Sequence, residues 1–163
     1  MKKYIISLTL VCLFVSSVFA QVQPRYIANP ALDKFIGTWE ASNGNFQITF
    51  IKEKRDFKFG ISGDILFGLY TYKKGDVRLD SKKSDKRAID YGSNNSDNRN
   101  KLAFNFIDVK TDKQGHATLE LLPGTDNQAT LLIYPKEVVT VGRGKNSHKL
   151  FFVPTKLVIK KMS

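Results

Sequence analysis

Short runs in which every second residue is apolar, each closed by a turn, recur along almost the whole chain, and that spacing points to antiparallel sheet. Phe46, Ile48 and Phe50 alternate with Gln47 and Thr49, as Leu102, Phe104 and Phe106 do with Ala103 and Asn105. Residues 38–41 read as a strand, and Ser42-Asn43-Gly44-Asn45 after it as a hairpin turn centred on Asn-Gly. A charged corner over residues 52–56 is expected to reverse the chain, after which Phe57, Phe59 and Ile61 resume the alternation up to a turn at Gly63-Asp64. Residues 65–72 make the next strand, Lys73-Lys74-Gly75-Asp76 its turn, and Val77 and Leu79 a shorter strand. Turns over 112–115 and 123–126 separate the later runs, and 130–134 and 137–141 read as strands. Residues 149–153 and 156–160 form a last strand pair or one strand kinked at Pro154.

Helical signals are confined to one place. Asn29-Pro30 offers a capping residue and then proline in the first helical position, with Leu32, Phe35 and Ile36 inward over one to two turns. Residues 21–27 show no period and read as a loose lead-in. The polar stretch 80–100 contains Ser93-Asn94-Asn95-Ser96-Asp97-Asn98, and residues 92–100 are expected to be an exposed, mobile loop and the first site of protease attack. A count of about 8–10 short strands at hairpin spacing implies an all-β barrel or sandwich.

The first twenty residues differ from the rest. Lys2 and Lys3 precede an apolar run from Tyr4 to Val15, and Val18 and Ala20 set small residues ahead of a cut before Gln21. That is the layout of a secretory signal peptide, too short for a membrane span. The expectation is a leader at 1–20 and one folded domain at 21–163, secreted or periplasmic after cleavage near Ala20, with no transmembrane segment. The single cysteine, Cys12, falls in the leader, so the domain has neither a disulfide nor thiolate chemistry, and its core must hold it.

A formal charge of +11 favours anionic partners such as phospholipid headgroups, lipopolysaccharide or acidic glycans. The lysines lie in short clusters at turns, and no arginine-rich block or aromatic RNA-binding motif accompanies them, which argues against nucleic acid. His116 and His148 belong to no paired ligand motif. Asp108, Asp112 and Gly115 suit a turn better than a calcium loop, and Gly142-Arg143-Gly144-Lys145 lacks the spacing of a phosphate loop. With no nucleophile elbow either, the chain carries no catalytic, metal or cofactor signature, and the expectation is a non-enzymatic protein.

The helical turn leading into Gly37-Thr38-Trp39, at the head of a strand series, resembles the opening of lipocalins. In that family the Trp plugs the closed end of the barrel and a basic side chain from near the last strand covers it. The resemblance implies Lys156 or Lys160 in that role. Phe35-Ile36-Gly37-Thr38-Trp39-Glu40, Gly68-Leu69-Tyr70-Thr71-Tyr72, Leu102-Ala103-Phe104-Asn105-Phe106-Ile107-Asp108 and Val153-Pro154-Thr155-Lys156-Leu157-Val158 resemble an uncharacterised family of small secreted lipocalin-like proteins from Bacteroidota. This likeness covers nearly all of residues 21–163. It implies a single antiparallel lipocalin-like β-barrel with a short N-terminal helical turn, in which Gly37, Trp39 and Pro154 are structural.

Two functions follow from such a barrel. If hollow, it holds a small apolar or amphipathic ligand lined by Phe57, Phe59, Phe67, Tyr70, Phe104 and Phe106. If filled by its own side chains, as small barrels usually are, it recognises an envelope or secreted macromolecule through its loops and basic surface.

Overall fold

The computed structural model describes residues 25–83, 89–94, 100–136 and 151–162, by backbone alone at 83 and 89–94. These residues form the strands β1 (Arg25–Ile27), β2 (Gly37–Ala41), β3 (Phe46–Asp56), β4 (Ile61–Lys74), β5 (Val77–Asp80), β6 (Ile89–Asn94), β7 (Lys101–Asp108), β8 (Lys113–Leu121), β9 (Gln128–Pro135) and β10 (Lys156–Lys161). Among the described residues helix is limited to 3-10 turns at Pro30–Phe35, Lys58–Gly60 and Ser81–Lys83.

The strands make one curled open sheet, a half-barrel, in the order β1-β4-β3-β2-β10-β9-β8-β7-β6, with β5 added on β4. β4 organises it. One of its edges carries β3 through every register position from Phe46↔Tyr72 to Asp56↔Ser62. Its other edge is shared by β1 at residues 61–63, β6 at Leu66 and β5 at residues 71–74. Among the described residues the two arms of the sheet thus pair at Leu66↔Gly92 alone.

Alternation sends one face of each strand into the concavity. Trp39, Phe46, Ile48, Phe50, Tyr70 and Phe106 are all at most 1% exposed, and Leu102, Leu119, Leu131 and Ile159 meet them from the other wall. Each such side chain contributes about 1.5–3 kcal/mol relative to exposure. The rings touch in sequence: Phe46 stacks on Tyr70 at 5.9 Å, Tyr70 on Phe106 at 5.0 Å, and Phe50 meets Phe104 edge-on at 5.5 Å. Offset and edge contacts of this kind add about 0.5–1.5 kcal/mol per pair beyond area. The turn Pro30–Phe35 lies against one end of this core and buries Leu32 and Phe35 in it.

Several sequence expectations give way to the sheet. Residues 52–56 are not a corner; they continue β3, and the reversal comes at residues 57–60, closed by the Phe57 N–H donating to the Ile61 carbonyl at 2.6 Å. Gly63-Asp64 is no turn either, but lies inside β4. Residues 25–27 are not a loose lead-in: they pair parallel to β4, the exception in a sheet otherwise paired antiparallel. Gly115 lies within β8, the turn falling just before it. Residues 92–94, expected in a loop, end β6, while residues 95–99 of that loop lie outside the described residues. The expected strand at 137–141 and loop at 142–146 also lie outside them. Of residues 149–153, those described (151–153) form no strand, and Pro154 stands in the bend that leads into β10.

Candidate functional site

Three features could carry function: the Trp39 end of the core, the aromatic interior, and the ribbon that β3 and β4 form beyond the core.

At the first, Trp39 is fully buried and its indole N–H donates to the Phe35 carbonyl at 2.9 Å. Lys161 stands opposite Trp39 in the β2–β10 register. Its Nζ sits 5.7 Å from the ring centroid and donates to the Lys34 carbonyl at 3.0 Å. The cover over Trp39 is therefore Lys161, not Lys156 or Lys160; Lys160 pairs with Glu40 and Lys156 with Leu132. Gly37 makes room for it. Its φ of +111° suits glycine alone, and a Cβ there would meet Lys161 Cε at 3.3 Å.

In the interior, Tyr70, Phe104 and Phe106 sit where a barrel lining was expected, but they pack against other side chains. Burial pushes the Tyr70 hydroxyl far above the usual tyrosine range, and the Asp108 charge adds to that; the Val109 N–H, donating to it at 3.0 Å, opposes them. Beside it the fully buried Asp108 carboxylate accepts four backbone N–H groups. Oδ1 takes Lys110 and Thr111 at 3.0 and 3.3 Å, and Oδ2 takes Phe152 and Val153 at 2.5 and 3.3 Å. Asp108 thereby ties the β7–β8 turn to the segment before β10. The Asp108-Val109-Lys110-Thr111 string is an Asx-turn sequence and so carried a signal for half of this latch. The other half depends on residues 44 positions away.

Phe57, Phe59 and Phe67 do not face the interior. Phe67 is half-buried on the outer face opposite Ile51, while Phe57 is 45% and Phe59 92% exposed. Beyond Phe50 the β3–β4 pair continues as a ribbon with two unlike faces. The face continuous with the interior is polar. There Tyr26 donates its hydroxyl to Asp64 at 2.5 Å, the Asn29 N–H donates to the other Asp64 oxygen at 2.9 Å, and Lys52 bridges Asp33 at 2.5 Å and Asp64 at 3.6 Å. The opposite face, which β1 shares through Ile27, carries Ile51 and Ile61. Phe57 lies across it, 3.3 Å from where a Gly63 Cβ would stand.

The polar face has a pH signature. The hydrogen bonds from Tyr26 and then Asn29 hold Asp64 below its ordinary 3.8, the bond to Asp64 raises Tyr26 above 10.0, and the bond to Asp33 raises Lys52 above 10.5. A depressed carboxylate stabilises above its unfolded value and loses that as pH falls through the folded one. Raised Tyr and Lys groups stabilise below their unfolded values and lose it as pH rises through the folded ones. The docking of β1 should therefore be firm between about pH 4 and pH 10 and loosen outside that window. Tyr26 and Asn29 amide shifts followed by NMR should show both transitions, and Asp64→Asn should abolish the acid one.

At the tip, Phe59 takes φ 64° and ψ 30°, the left-handed region that side chains rarely occupy, with its ring in solvent. Folding gains nothing from either. Phe59→Gly is accordingly expected to leave stability unchanged or raise it by up to about 1 kcal/mol, measured by urea denaturation.

Elsewhere the outer face of β2–β5 holds a polar groove of about 260 Å³ lined by Glu40, Asn45, Gln47, Thr71, Lys73 and Arg78. His116 lies exposed beside a smaller one of about 130 Å³. His148 and residues 142–145 lie outside the described residues. Among the described residues, no three His, Cys, Asp or Glu side chains gather to hold a metal, and no helix is long and apolar enough to cross a membrane.

A family model described as a family of unknown function (DUF6705) matches residues 1–93, more than half of the chain. No curated protein and no solved structure matches.

Proposed function

Since the chain belongs to that family of unknown function, its own geometry must carry the reading, and we propose that it is a non-enzymatic binding protein that meets its partner on its outer surface. The sheet is taken as a lipocalin-like barrel closed where Leu66 meets Gly92, exported by the leader at 1–20. Lys161 over Trp39, beside Gly37, supports the lipocalin likeness.

One observation carries the choice of surface over interior. Tyr70, Phe104 and Phe106, the interior half of the expected ligand lining, are at most 4% exposed and in ring contact with neighbours, whereas Phe57 and Phe59 face solvent. A pocket for a small apolar ligand needs several hundred Å³ bounded by such side chains. Here they bound one another. The excess of basic residues supports an anionic macromolecule as the partner.

The test is a titration of the protein against anionic macromolecules (acidic glycan, lipopolysaccharide, anionic vesicles) at low and high salt, alongside a fatty acid and an apolar fluorophore. Saturable, salt-sensitive binding to one of the anionic species, with no one-to-one uptake of the apolar probes, is the expected result. Stoichiometric uptake of a probe that also shifts the Trp39 emission would overturn the reading.

A further inference from the structure

We propose that the β3–β4 ribbon is a lipid-surface anchor, which inserts Phe59 and its apolar neighbours into the interfacial layer of an anionic phospholipid bilayer. This rests on the outer-surface reading above and names the partner.

Four observations meet at this one place. The apolar side chains gather at the end of the ribbon: Ile27, Phe57 and Ile61, each between 39% and 51% exposed, lie on one face, with Ile51 farther back on it beyond Arg55 and Glu53, and Phe59 at 92% forms the tip. Large apolar groups gathered on a ribbon that leaves the core mark a contact surface, where the same groups dispersed would not. Phe59 is doubly unfavourable in water, with its ring exposed and its backbone left-handed, at a turn position where glycine would serve.

The ribbon is also held stiff. The bond closing the turn, the Tyr26–Asp64–Lys52–Asp33 cluster and the added strand β1 fix the tip ahead of any encounter, so docking need not order it. Lastly, the exposed charges near the tip favour an anionic partner. Arg25, Lys54 and Lys58 outnumber Glu53 and Asp56, while Lys52 is engaged by Asp33 and Asp64.

An apolar face with an aromatic tip and a basic collar is the arrangement that lies in a membrane interface, the rings at the acyl boundary and the cations among the headgroup phosphates. A polar glycan offers the exposed isoleucines nothing. A protein partner would suit the apolar face but has no particular use for the collar.

Co-sedimentation with vesicles of phosphatidylglycerol and phosphatidylcholine, set against phosphatidylcholine alone, tests this with the folded protein. Binding should need the anionic lipid and weaken with salt. Phe59→Ser should lower partitioning about tenfold, as loss of one inserted aromatic implies. Lys58→Glu should weaken it and flatten the salt dependence. Phe59→Trp should be quenched by brominated acyl chains, while Trp39 of the parent protein, buried far from the tip, should not be. Because Phe59 supports no part of the core, its variants should melt like the parent, which separates lost binding from lost folding. Indifference of the parent protein to anionic vesicles, or unchanged partitioning of Phe59→Ser, would overturn the anchor. Binding to a soluble acidic glycan without binding to vesicles would also overturn it and leave the outer-surface reading standing.

Discussion

Asp108→Ala is expected to lower stability by about 3–5 kcal/mol, one of the two largest effects foreseen for single substitutions. The carboxylate is wholly buried and accepts N–H groups from Lys110, Thr111, Phe152 and Val153. Alanine would leave four donors facing a cavity, each costing about 1–3 kcal/mol if unsatisfied, with relaxation and water recovering part of the total. Asp108→Asn keeps one acceptor oxygen but turns an amide N–H₂ toward the other pair of donors, and should cost about half as much. Because the latch fastens the segment ahead of β10 to the β7–β8 turn, the loss should extend to the β9–β10 pairing. Thermal denaturation followed by circular dichroism, with a drop of about 10–15 °C in melting temperature for Asp108→Ala, is the check.

Trp39→Ala should cost about 3–5 kcal/mol for a different reason. Here the loss is volume and contact. The indole is fully buried beneath the turn Pro30–Phe35, donates to Phe35, and supports the Lys161 side chain from below. Trp39→Phe retains most of the apolar area and forfeits the hydrogen bond, so about 1–2 kcal/mol is expected. Lys161→Met keeps the stem over the ring and removes the charge that reaches the Lys34 carbonyl; it should cost less than either. An order of effects with Lys161→Met above Trp39→Phe would mean that the cation, rather than the indole, holds this end.

The sequence was informative where one face of a strand is buried. Phe46, Ile48 and Phe50 alternate because Gln47 and Thr49 between them turn to the half-buried outer face, and Leu102, Phe104 and Phe106 repeat the pattern across the core. It misled where that contrast disappears. Past Phe50 neither face of β3 is fully buried, so Lys52, Glu53, Lys54 and Arg55 carry no period and resemble a corner while lying in β3. The opposite error came one turn later. Phe57, Phe59 and Ile61 alternate like a strand, but Phe59 is the tip of the turn.

Residues 89–94 illustrate a third case, a strand of mostly polar residues whose pairing with β7 no local signal announces. Three-residue β1 is too short for any period to be read. That Lys161 and not Lys156 or Lys160 covers Trp39 depends on the β2–β10 register, a long-range property that no local pattern carries. Of the six aromatic residues expected to line a barrel, alternation correctly sent Tyr70, Phe104 and Phe106 inward. What it could not convey is which rings they meet there, Phe50 for Phe104 and Phe106 for Tyr70.

The central claim, that this protein meets its partner at the ribbon and not within its core, is tested most directly by NMR of the protein with labelled Phe and Tyr rings. The titrant is a short-chain phosphatidylglycerol kept below its micelle concentration. Phe57, Phe59 and Tyr26 are expected to move progressively while Tyr70, Phe104 and Phe106 stay fixed. Saturating shifts at the interior rings with Phe59 unmoved would contradict it.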